Sequence, residues 1–262
     1  MSLKNKLRGL REMWQFDNRL PLILTRTLFP SEKLQVYRYK GVEILTDLEG
    51  GDANGAREVL TSPMYRRFLP QMNLTGAANV LDIGANNGGF PLLLAASGID
   101  LKKVVSVELN PNTFLRLRFN LERNLKCKVV PINAAVCGEP GKLNLPLGAG
   151  NSGDSIYNGN AKAGGETFEI HGVTFDQLTE QHFSGETIDI CKIDIEGAEF
   201  DVFAKPSHES LRRCRYLIME IHESADRNAA AILAELERLG LIHKPSPADA
   251  DPAVHFFVNV DR

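Results

Sequence analysis

The chain has 262 residues, 43% of them hydrophobic, and a formal net charge of -3. This length and apolar content allow one substantial α/β core, and the slight excess of acid argues against nucleic acid as a partner. The four cysteines show no C-x-x-C spacing, so neither a zinc site nor a disulfide framework is indicated. We therefore expect a cytoplasmic protein.

The start of the chain differs in charge from the rest. Residues 1–30 hold six Lys and Arg side chains against two acids, a net charge of +4, and Leu3, Leu7, Leu10 and Trp14 share one helical face. Such a helix can lie on an anionic membrane, but it more often packs on its own domain or on a second subunit. We expect packing, with peripheral membrane contact as the alternative. No apolar run is long enough to cross a bilayer, and no signal-peptide pattern is present.

The next segment predicts a hairpin. Strands are indicated over Leu34–Tyr39 and 42–46, followed by a Gly/Asp/Asn loop and a short helix near 56–60. We expect residues 1–78 to form an N-terminal extension and cap in front of a main domain over 79–262.

In the main domain, strand patterns alternate with helical ones, which predicts a mostly parallel sheet with helices on both faces. Strands are predicted around 79–82, 104–108, 128–132, 188–193, 216–221, 241–243 and 255–260. The last two are joined by a short Pro-rich loop, so the terminal strand should be antiparallel. Helices are predicted from Asn110-Pro111 and from Ser224 to Leu239, and the Gly-rich segment 148–165 reads as a mobile loop.

The most informative stretch, 79–90, reads Asn-Val-Leu-Asp-Ile-Gly-Ala-Asn-Asn-Gly-Gly-Phe. A strand that runs through a glycine turn into a helix offers free N–H groups to a ligand. Dinucleotide sites need G-x-G-x-x-G, but Asn86 fills the second glycine position. Its side chain obstructs a diphosphate and can bind a smaller polar group such as an amino-acid carboxylate, which disfavours an NAD-dependent oxidoreductase.

A second strand ends at Glu108, where an acid can bind the two hydroxyls of a ribose. The pattern D-x-G-x-N-x-G followed by this acid resembles the S-adenosylmethionine site of Rossmann-like methyltransferases. The resemblance implies S-adenosylmethionine as the cofactor. The cofactor-binding residues that we assign are Asp82, Gly84, Asn86, Gly88, Glu108, Asn133 and Asp194.

Acidic residues also follow a later core strand. The run 190–199 reads Ile-Cys-Lys-Ile-Asp-Ile-Glu-Gly-Ala-Glu and places Asp194, Glu196 and Glu199 at the carboxyl end of its strand. The next strand brings Glu220 and His222 to the same edge, on one side because strand side chains alternate. Chemistry in open α/β sheets collects at this edge.

Together these segments resemble the FkbM family of S-adenosylmethionine-dependent methyltransferases, over about 79–223. The specific part is K-I-D-I-E-G-A-E, which generic methyltransferases lack. One departure is Glu108-Leu-Asn-Pro111, because family members usually have proline directly after the acid. The resemblance implies a Rossmann-like class I fold, with a seven-stranded sheet, and O-methylation of a hydroxyl on a sugar, glycan precursor or secondary metabolite.

A hydroxyl ionises too weakly at neutral pH to accept a methyl group unaided, so a base or a metal must help. Asp194 and His222 are the candidate bases, with Glu220 orienting the imidazole and Glu196 beside them. The rival is a divalent metal bound by Asp194, Glu220 and His222, which we do not favour. Glu196 and Glu199 could instead serve only the start of a helix.

Two alternatives to this reading stay open. One is a non-catalytic methyltransferase-like domain that binds the cofactor or a partner, and the other, less favoured, is the NAD-dependent oxidoreductase. Lys192 lies inside a core strand, where we expect its ammonium to reach the cofactor edge or to pair with an acid. The sequence leaves the acceptor and the oligomeric state open.

Overall fold

The computed structural model describes residues 12–50, 52–146, 167–245 and 251–262. The chain begins with helix α1 (Arg19–Leu28) and an antiparallel hairpin of β1 (Leu34–Tyr39) and β2 (Val42–Asp47). Helix α2 (Asp52–Thr61) and a 3-10 helix (Arg66–Gln71) follow. The predicted hairpin is therefore confirmed.

The main domain alternates strands and helices as expected. Its elements are β3 (Ala78–Ile83), α3 (Gly89–Ala96), β4 (Leu101–Glu108), α4 (Pro111–Asn124), β5 (Lys128–Asn133), β6 (Ala135–Val136), β7 (Gly141–Pro146), β8 (Thr167–Val173), α5 (Phe175–Phe183), β9 (Ile188–Ile193), α6 (Glu199–Phe203), a 3-10 helix (Glu209–Arg213), β10 (Cys214–Glu220), α7 (Ala230–Arg238), β11 (Leu241–Lys244) and β12 (Val254–Asn259).

Seven of these strands form one sheet in the order β11-β12-β10-β9-β3-β4-β5. All run parallel except β12, which is antiparallel to both of its neighbours. Alternate residues of each central strand enter different cores, so Val80 packs on one face and Leu81 on the other. The predicted α/β fold, a mostly parallel seven-stranded sheet with an antiparallel terminal strand, is confirmed.

The N-terminal elements cover one face of this sheet. Phe16, Tyr37 and Ile44 belong to the same hydrophobic cluster as Val80 and Val104. The boundary at residue 78 stays a prediction, but the two parts share one core.

Two asparagines of α4 attach the hairpin to the main domain. The Asn120 side chain accepts from Leu45 N (2.7 Å) and donates to Leu45 O (3.0 Å) and Asn87 O (2.8 Å). Asn124 accepts from Glu43 N (2.7 Å) and donates to Glu43 O (2.6 Å). The free edge of β2 is thereby satisfied by amide side chains, which removes an unpaired strand edge.

Three expected boundaries were wrong for local reasons. Helix α2 starts at Asp52, inside the expected Gly/Asp/Asn loop, because intrinsic propensity is a weak guide to where a helix begins. Strand β4 starts three residues before Val104, since buried Lys103 is satisfied by Glu186 Oε1 at 2.8 Å. Helix α7 starts at Ala230 and not at Ser224, where the chain forms a turn instead.

A small sheet in the order β6-β8-β7 was not expected. Its strands are short or half exposed, so they lack the apolar runs that identify core strands. The predicted mobile loop 148–165 and the apolar positions 3, 7 and 10 lie outside the described residues. None of the described helices is long and apolar enough to span a bilayer.

Replacing Asn120 by alanine should test the attachment of the hairpin. The change leaves three backbone groups without this partner, one buried and two partly buried. A buried unsatisfied group costs about 1–3 kcal/mol, and we expect a total loss of about 3 kcal/mol in the free energy of unfolding. Urea titration would measure it, with exposed Asn112→Ala on the same helix as the control. Equal small losses in both variants would contradict this account.

Candidate active site

The glycine turn after β3 lies at the carboxyl end of the sheet. Gly84 N and Ala85 N both donate to Val107 O, at 3.0 and 2.9 Å, which holds the turn against β4. Asn86 has a left-handed φ of 49°, and Gly88, with φ 92°, caps α3. The turn therefore leads directly into a helix N-terminus, as the sequence predicted.

Gly84 is required by a close approach between two turns. A Cβ at this position would lie 1.6 Å from the carbonyl oxygen of Asp194, which follows β9. Asp194 N in turn donates to Ile83 O at 3.0 Å. The glycine turn and the acidic turn after β9 are consequently locked together.

Glu108 connects the ends of β3 and β4. Its carboxylate accepts from Asn86 N and Asn110 N, both at 2.8 Å, and it lines the cavity beside the glycine turn. Each carboxylate oxygen has a second lone pair, so ribose hydroxyls could still donate to it. The position fits the predicted role, and the carboxylate also holds the loop in shape.

Asn133 has a different position from the one expected. Its side chain donates to Glu108 O (2.8 Å) and Leu109 O (2.9 Å), and it does not line the cavity. Residues 134–136 line it instead. Asn133 thus supports the strand end that carries Glu108.

The cavity lies between the glycine turn, the ends of β4 and β5, and the acidic turn after β9. Predicted residues that line it are Gly84, Asn86, Glu108, Asp194, Glu196 and Glu220. Asp82, Gly88 and His222 lie outside this lining. Most of the acids that the sequence placed at this edge do meet there.

Lys192 lies beneath the cavity between two acids. Its ammonium donates to Gly84 O at 2.6 Å and lies 3.3 Å from Asp194 Oδ2 and 3.6 Å from Asp82 Oδ1. Burial lowers the pKa of Lys192, but the charges of Asp194 and Asp82 outweigh it and raise the pKa. The lysine is therefore charged and both reaches the cofactor edge and pairs with acids, as expected.

Asp82 is fully buried, and its two oxygens have no hydrogen-bond partner among the described residues. Burial raises the pKa of Asp82 to about 6, although Lys192 opposes the shift. Buried polar groups are normally hydrogen-bonded, so the carboxyl group of Asp82 is available to a hydrogen-bonding group of a bound ligand or water.

Tyr65, just before the first 3-10 helix, enters the site from the N-terminal part of the chain. Its hydroxyl donates to Asp194 Oδ2 at 3.1 Å, and its ring packs edge-on against Phe90. Burial raises the pKa of Tyr65 well above its usual value, so the hydroxyl remains a donor. Sequence reasoning missed this residue, because its segment has no periodic pattern or motif.

His222 is surrounded by carboxylates. Its Nδ1 lies 3.1 Å from Oε1 of the fully buried Glu199, and its Nε2 lies 3.4 Å from Glu196 and 3.5 Å from Glu220. Burial lowers the pKa of His222, but the hydrogen bond and the charges of these acids outweigh it and raise the pKa to about 9. At neutral pH the ring is an imidazolium, which argues against His222 as a base.

The pKa of Glu220 is also raised, but for a carboxyl group this favours the neutral form. Burial and the charge of Asp194 raise the pKa of Glu220 to about 7, against the opposing charges of His222 and Lys192. Burial also raises the pKa of Glu196, whose backbone has a left-handed φ of 54°. Glu220 can therefore exchange a proton near neutral pH, which suits a general base.

Glu220 also lines a second, adjoining groove of about 330 Å³. The N-terminal part contributes Glu58, Ser62 and Arg67, and the segment before β12 contributes Asp251. The same carboxyl group therefore faces two neighbouring spaces, one beside the glycine turn and one beside the cap.

The residues of the disfavoured metal alternative do lie close together. One ligand atom each from Asp194, Glu220 and His222 lies within 4.8 Å of the others. However, each ring nitrogen of His222 already faces a carboxylate, and Lys192 lies beside Asp194. The carboxylates could hold a cation, but the donor set fits poorly because a ligating imidazole must be neutral.

The strand order, with its single antiparallel strand, is that of a Rossmann-like methyltransferase. Residues 82–242 match the family model of the methyltransferase FkbM domain, which is more than half of the chain. The protein therefore belongs to the FkbM methyltransferase family. No curated protein matches it in sequence.

Solved structures match this protein only at low sequence identity. A methyltransferase FkbM from Methylobacillus flagellatus KT matches with a TM-score of 0.46 and 14% identity, over 75% of this chain and 47% of that chain. This protein thus spans about half of that relative's length. An rRNA methylase from Streptococcus thermophilus matches with a TM-score of 0.42 and 13% identity over 74% and 92%. A human methyltransferase 10 domain containing protein gives a TM-score of 0.41 and 16% identity over 92% and 95%.

Gly84→Ala should be far more costly than Gly98→Ala. Both glycines have a similar positive φ, 72° and 79°, but a Cβ at Gly98 meets nothing within 4 Å. We expect a loss of about 1 kcal/mol at Gly98 from backbone strain and at least about 3 kcal/mol at Gly84, where a clash is added. Denaturant unfolding would measure both, and equal losses would refute the close approach.

The charge of His222 can be measured by NMR titration of its ring, assigned with His222→Gln. We expect a midpoint near 9, and a fall of about one unit or more in Glu199→Gln, which removes a charged partner. Because this pKa lies above the unfolded value of 6.5, the pair stabilises the fold below pH 6.5 and loses this effect as pH rises through about 9.

His243 serves as the internal control in that titration. Burial lowers the pKa of His243, and it should titrate below 6.5 in both proteins. A wild-type His222 that titrates near 6.5 would refute the carboxylate cage.

Proposed function

We propose that this protein is an S-adenosylmethionine-dependent methyltransferase that transfers a methyl group to a hydroxyl. The observation that carries the proposal is the shared position of Glu220, between the cavity at the glycine turn and the adjoining groove. A methyl donor and an acceptor must meet at one point, and a proton acceptor must lie there.

The cavity beside the glycine turn suits the cofactor. Glu108 would accept from the ribose hydroxyls, while the turn and the start of α3 offer backbone N–H groups to the methionine carboxylate. Fully buried Asp82, below the turn, would accept from the methionine ammonium through water. S-adenosylmethionine, when bound, supplies an electrophilic methyl group on a sulfonium.

Glu220 is the base that we favour. His222 is held as an imidazolium by Glu199, and Asp194 is occupied by Tyr65 and by the charged Lys192. Glu220 has a pKa of about 7 and lines both spaces, so it could take the proton of an acceptor hydroxyl, while S-adenosylmethionine would supply the methyl group and leave as the neutral thioether. The ion pair of Asp194 and Lys192 would stay in place beside the reacting groups.

The acceptor would lie in the groove beside the cap. Three carboxylates line this groove, from Glu58, Glu220 and Asp251, against the single guanidinium of Arg67. An anionic acceptor would be repelled, whereas hydroxyl groups can donate to carboxylates and accept from the arginine. This chemistry favours a neutral polyhydroxyl compound, such as a sugar, a glycan precursor or a secondary metabolite.

A metal-assisted reaction is the second mechanism to consider, because the ligand atoms of Asp194, Glu220 and His222 lie within 4.8 Å of one another. A bound divalent cation would lower the pKa of an acceptor hydroxyl directly. Methylation that survives dialysis against a strong chelator would remove this alternative.

Two other classes remain as alternatives. A non-catalytic domain would bind the cofactor without turning over any acceptor, but it has no need for a proton acceptor between two spaces. An NAD-dependent oxidoreductase would have to fit a diphosphate past Asn86, whose backbone N–H is already donated to Glu108.

Calorimetric titration with S-adenosylmethionine and, separately, with NAD tests the cofactor. We expect micromolar binding of S-adenosylmethionine alone, weakened at least about tenfold in Glu108→Ala, because charged hydrogen bonds to the ribose and the loop are lost. Glu139→Ala, an exposed acid paired with Lys205, is the control and should bind normally. Failure of folded wild-type protein to bind would favour a non-catalytic or unrelated role.

Glu220→Gln tests the base with any acceptor found by screening hydroxylated compounds. We expect kcat to fall by about 10²–10⁴, while the affinity for S-adenosylmethionine changes less than about threefold. Wild-type kcat should rise as pH passes about 7, and the variant should lose this rise. Glu169→Gln on β8, outside both the cavity and the groove, is the control. Full activity in Glu220→Gln would exclude the Glu220 carboxylate as the base.

A further inference from the structure

The N-terminal part of the described chain exposes an unusual amount of apolar surface. Seven of the ten exposed large hydrophobic side chains in the described residues lie between Trp14 and Val36. Leu20, Leu24 and Leu28 occur every four residues along α1 and are 61%, 57% and 64% exposed. Clustered exposed apolar residues mark interaction surfaces, whereas single ones do not.

The opposite side of α1 fixes the helix to the protein. Leu22 is buried in the core, and Arg26 donates to the hydroxyl of buried Tyr37 at 2.8 Å. The three outward leucines, which we term the α1 stripe, therefore cannot turn inwards without breaking these contacts.

Charge distinguishes this end of the chain from the rest. Residues 1–30 carry +4, and the whole chain carries -3, so residues 31–262 carry -7. Arg19 lies at the start of α1, with its guanidinium 5.3 Å from the ring of exposed Trp14. A cationic residue and an aromatic one thus stand at one end of the apolar stripe.

A second copy of the chain fits this surface poorly. The whole charge of +4 belongs by sequence to residues 1–11, which join the described chain at residue 12, so a symmetric dimer formed through the α1 stripe would bring two such basic segments to one interface. Like charges across an interface cost energy, whereas an anionic lipid surface attracts them and accepts the leucines among its acyl chains. The acidic remainder would be repelled by the same surface, which would orient the protein with α1 towards it.

From this combination we infer that the α1 stripe is a peripheral binding site for an anionic lipid membrane. The leucines and Trp14 enter the headgroup boundary, and Arg19, beside Trp14, contacts the lipid charges. The inference is independent of the proposed function, because it rests on a surface outside the cavity and the groove.

Trp14 provides a direct probe, since it is the single tryptophan of the chain and is 60% exposed. Full-length protein would be mixed with vesicles of pure phosphatidylcholine or of phosphatidylcholine with one quarter phosphatidylglycerol. We expect a blue shift of its fluorescence and co-sedimentation with the anionic vesicles alone, both reduced by high salt.

Leu24→Glu combined with Leu28→Glu should reduce partitioning by at least about tenfold, because both side chains lose their burial among the acyl chains and gain a charge. The matched control is Leu115→Glu combined with Phe119→Glu, also four residues apart on a helix and 61% and 48% exposed. It should bind vesicles as the wild type does. Unchanged thermal unfolding would show that both double variants are folded.

Several outcomes would overturn the inference. They are absence of binding to anionic vesicles, equal binding to neutral ones, and equal loss in the control variant. A further one is a dimer in sedimentation velocity that the Leu24/Leu28 variant abolishes, since that would make the stripe an interface between copies.

Discussion

The site depends on the close approach of the turns that follow β3 and β9. Only glycine fits at position 84, because Asp194 O lies where a Cβ would be. Lys192 joins the same two turns by a hydrogen bond to Gly84 O and an ion pair with Asp194. The loop that would hold the methyl donor and the turn that carries Asp194 are therefore held together as one unit. Such preorganisation matters because small displacements of reacting groups cost much of the rate.

The N-terminal part of the chain is a component of this site. Tyr65 donates a hydrogen bond to Asp194, and Arg67 lines the groove that we assign to the acceptor. Asn120 binds both the edge of β2, at Leu45, and Asn87 of the glycine turn. A change in the cap would thus alter the acceptor groove and, through Asn120, the turn itself. Since these elements share a core with the sheet, they cannot be regarded as an appendage to a complete catalytic domain.

Much of this arrangement could be predicted from the sequence, and the exceptions have physical causes. β9 is rich in isoleucine, a residue that favours strands, and it was predicted with its observed bounds. The rule that ligands collect at the carboxyl ends of parallel strands correctly placed Glu220 and His222 at one edge. Tyr65 could not be found because its contact with Asp194 spans 129 residues and leaves no local pattern. The charge of His222 could not be predicted from the sequence either, since it depends on the buried carboxylate of Glu199, which belongs to another element.

The location of Glu220 between two spaces has a thermodynamic consequence. A ligand in either space alters the free energy of the same ionisation, so its binding changes the fraction of Glu220 that is protonated. If the methyl donor binds more tightly to one protonation state of Glu220, its binding changes the affinity of the site for the methyl acceptor. By linkage, the acceptor must change the donor's affinity by the same factor. The two substrates of such an enzyme would be coupled through a single proton, without any movement of the backbone.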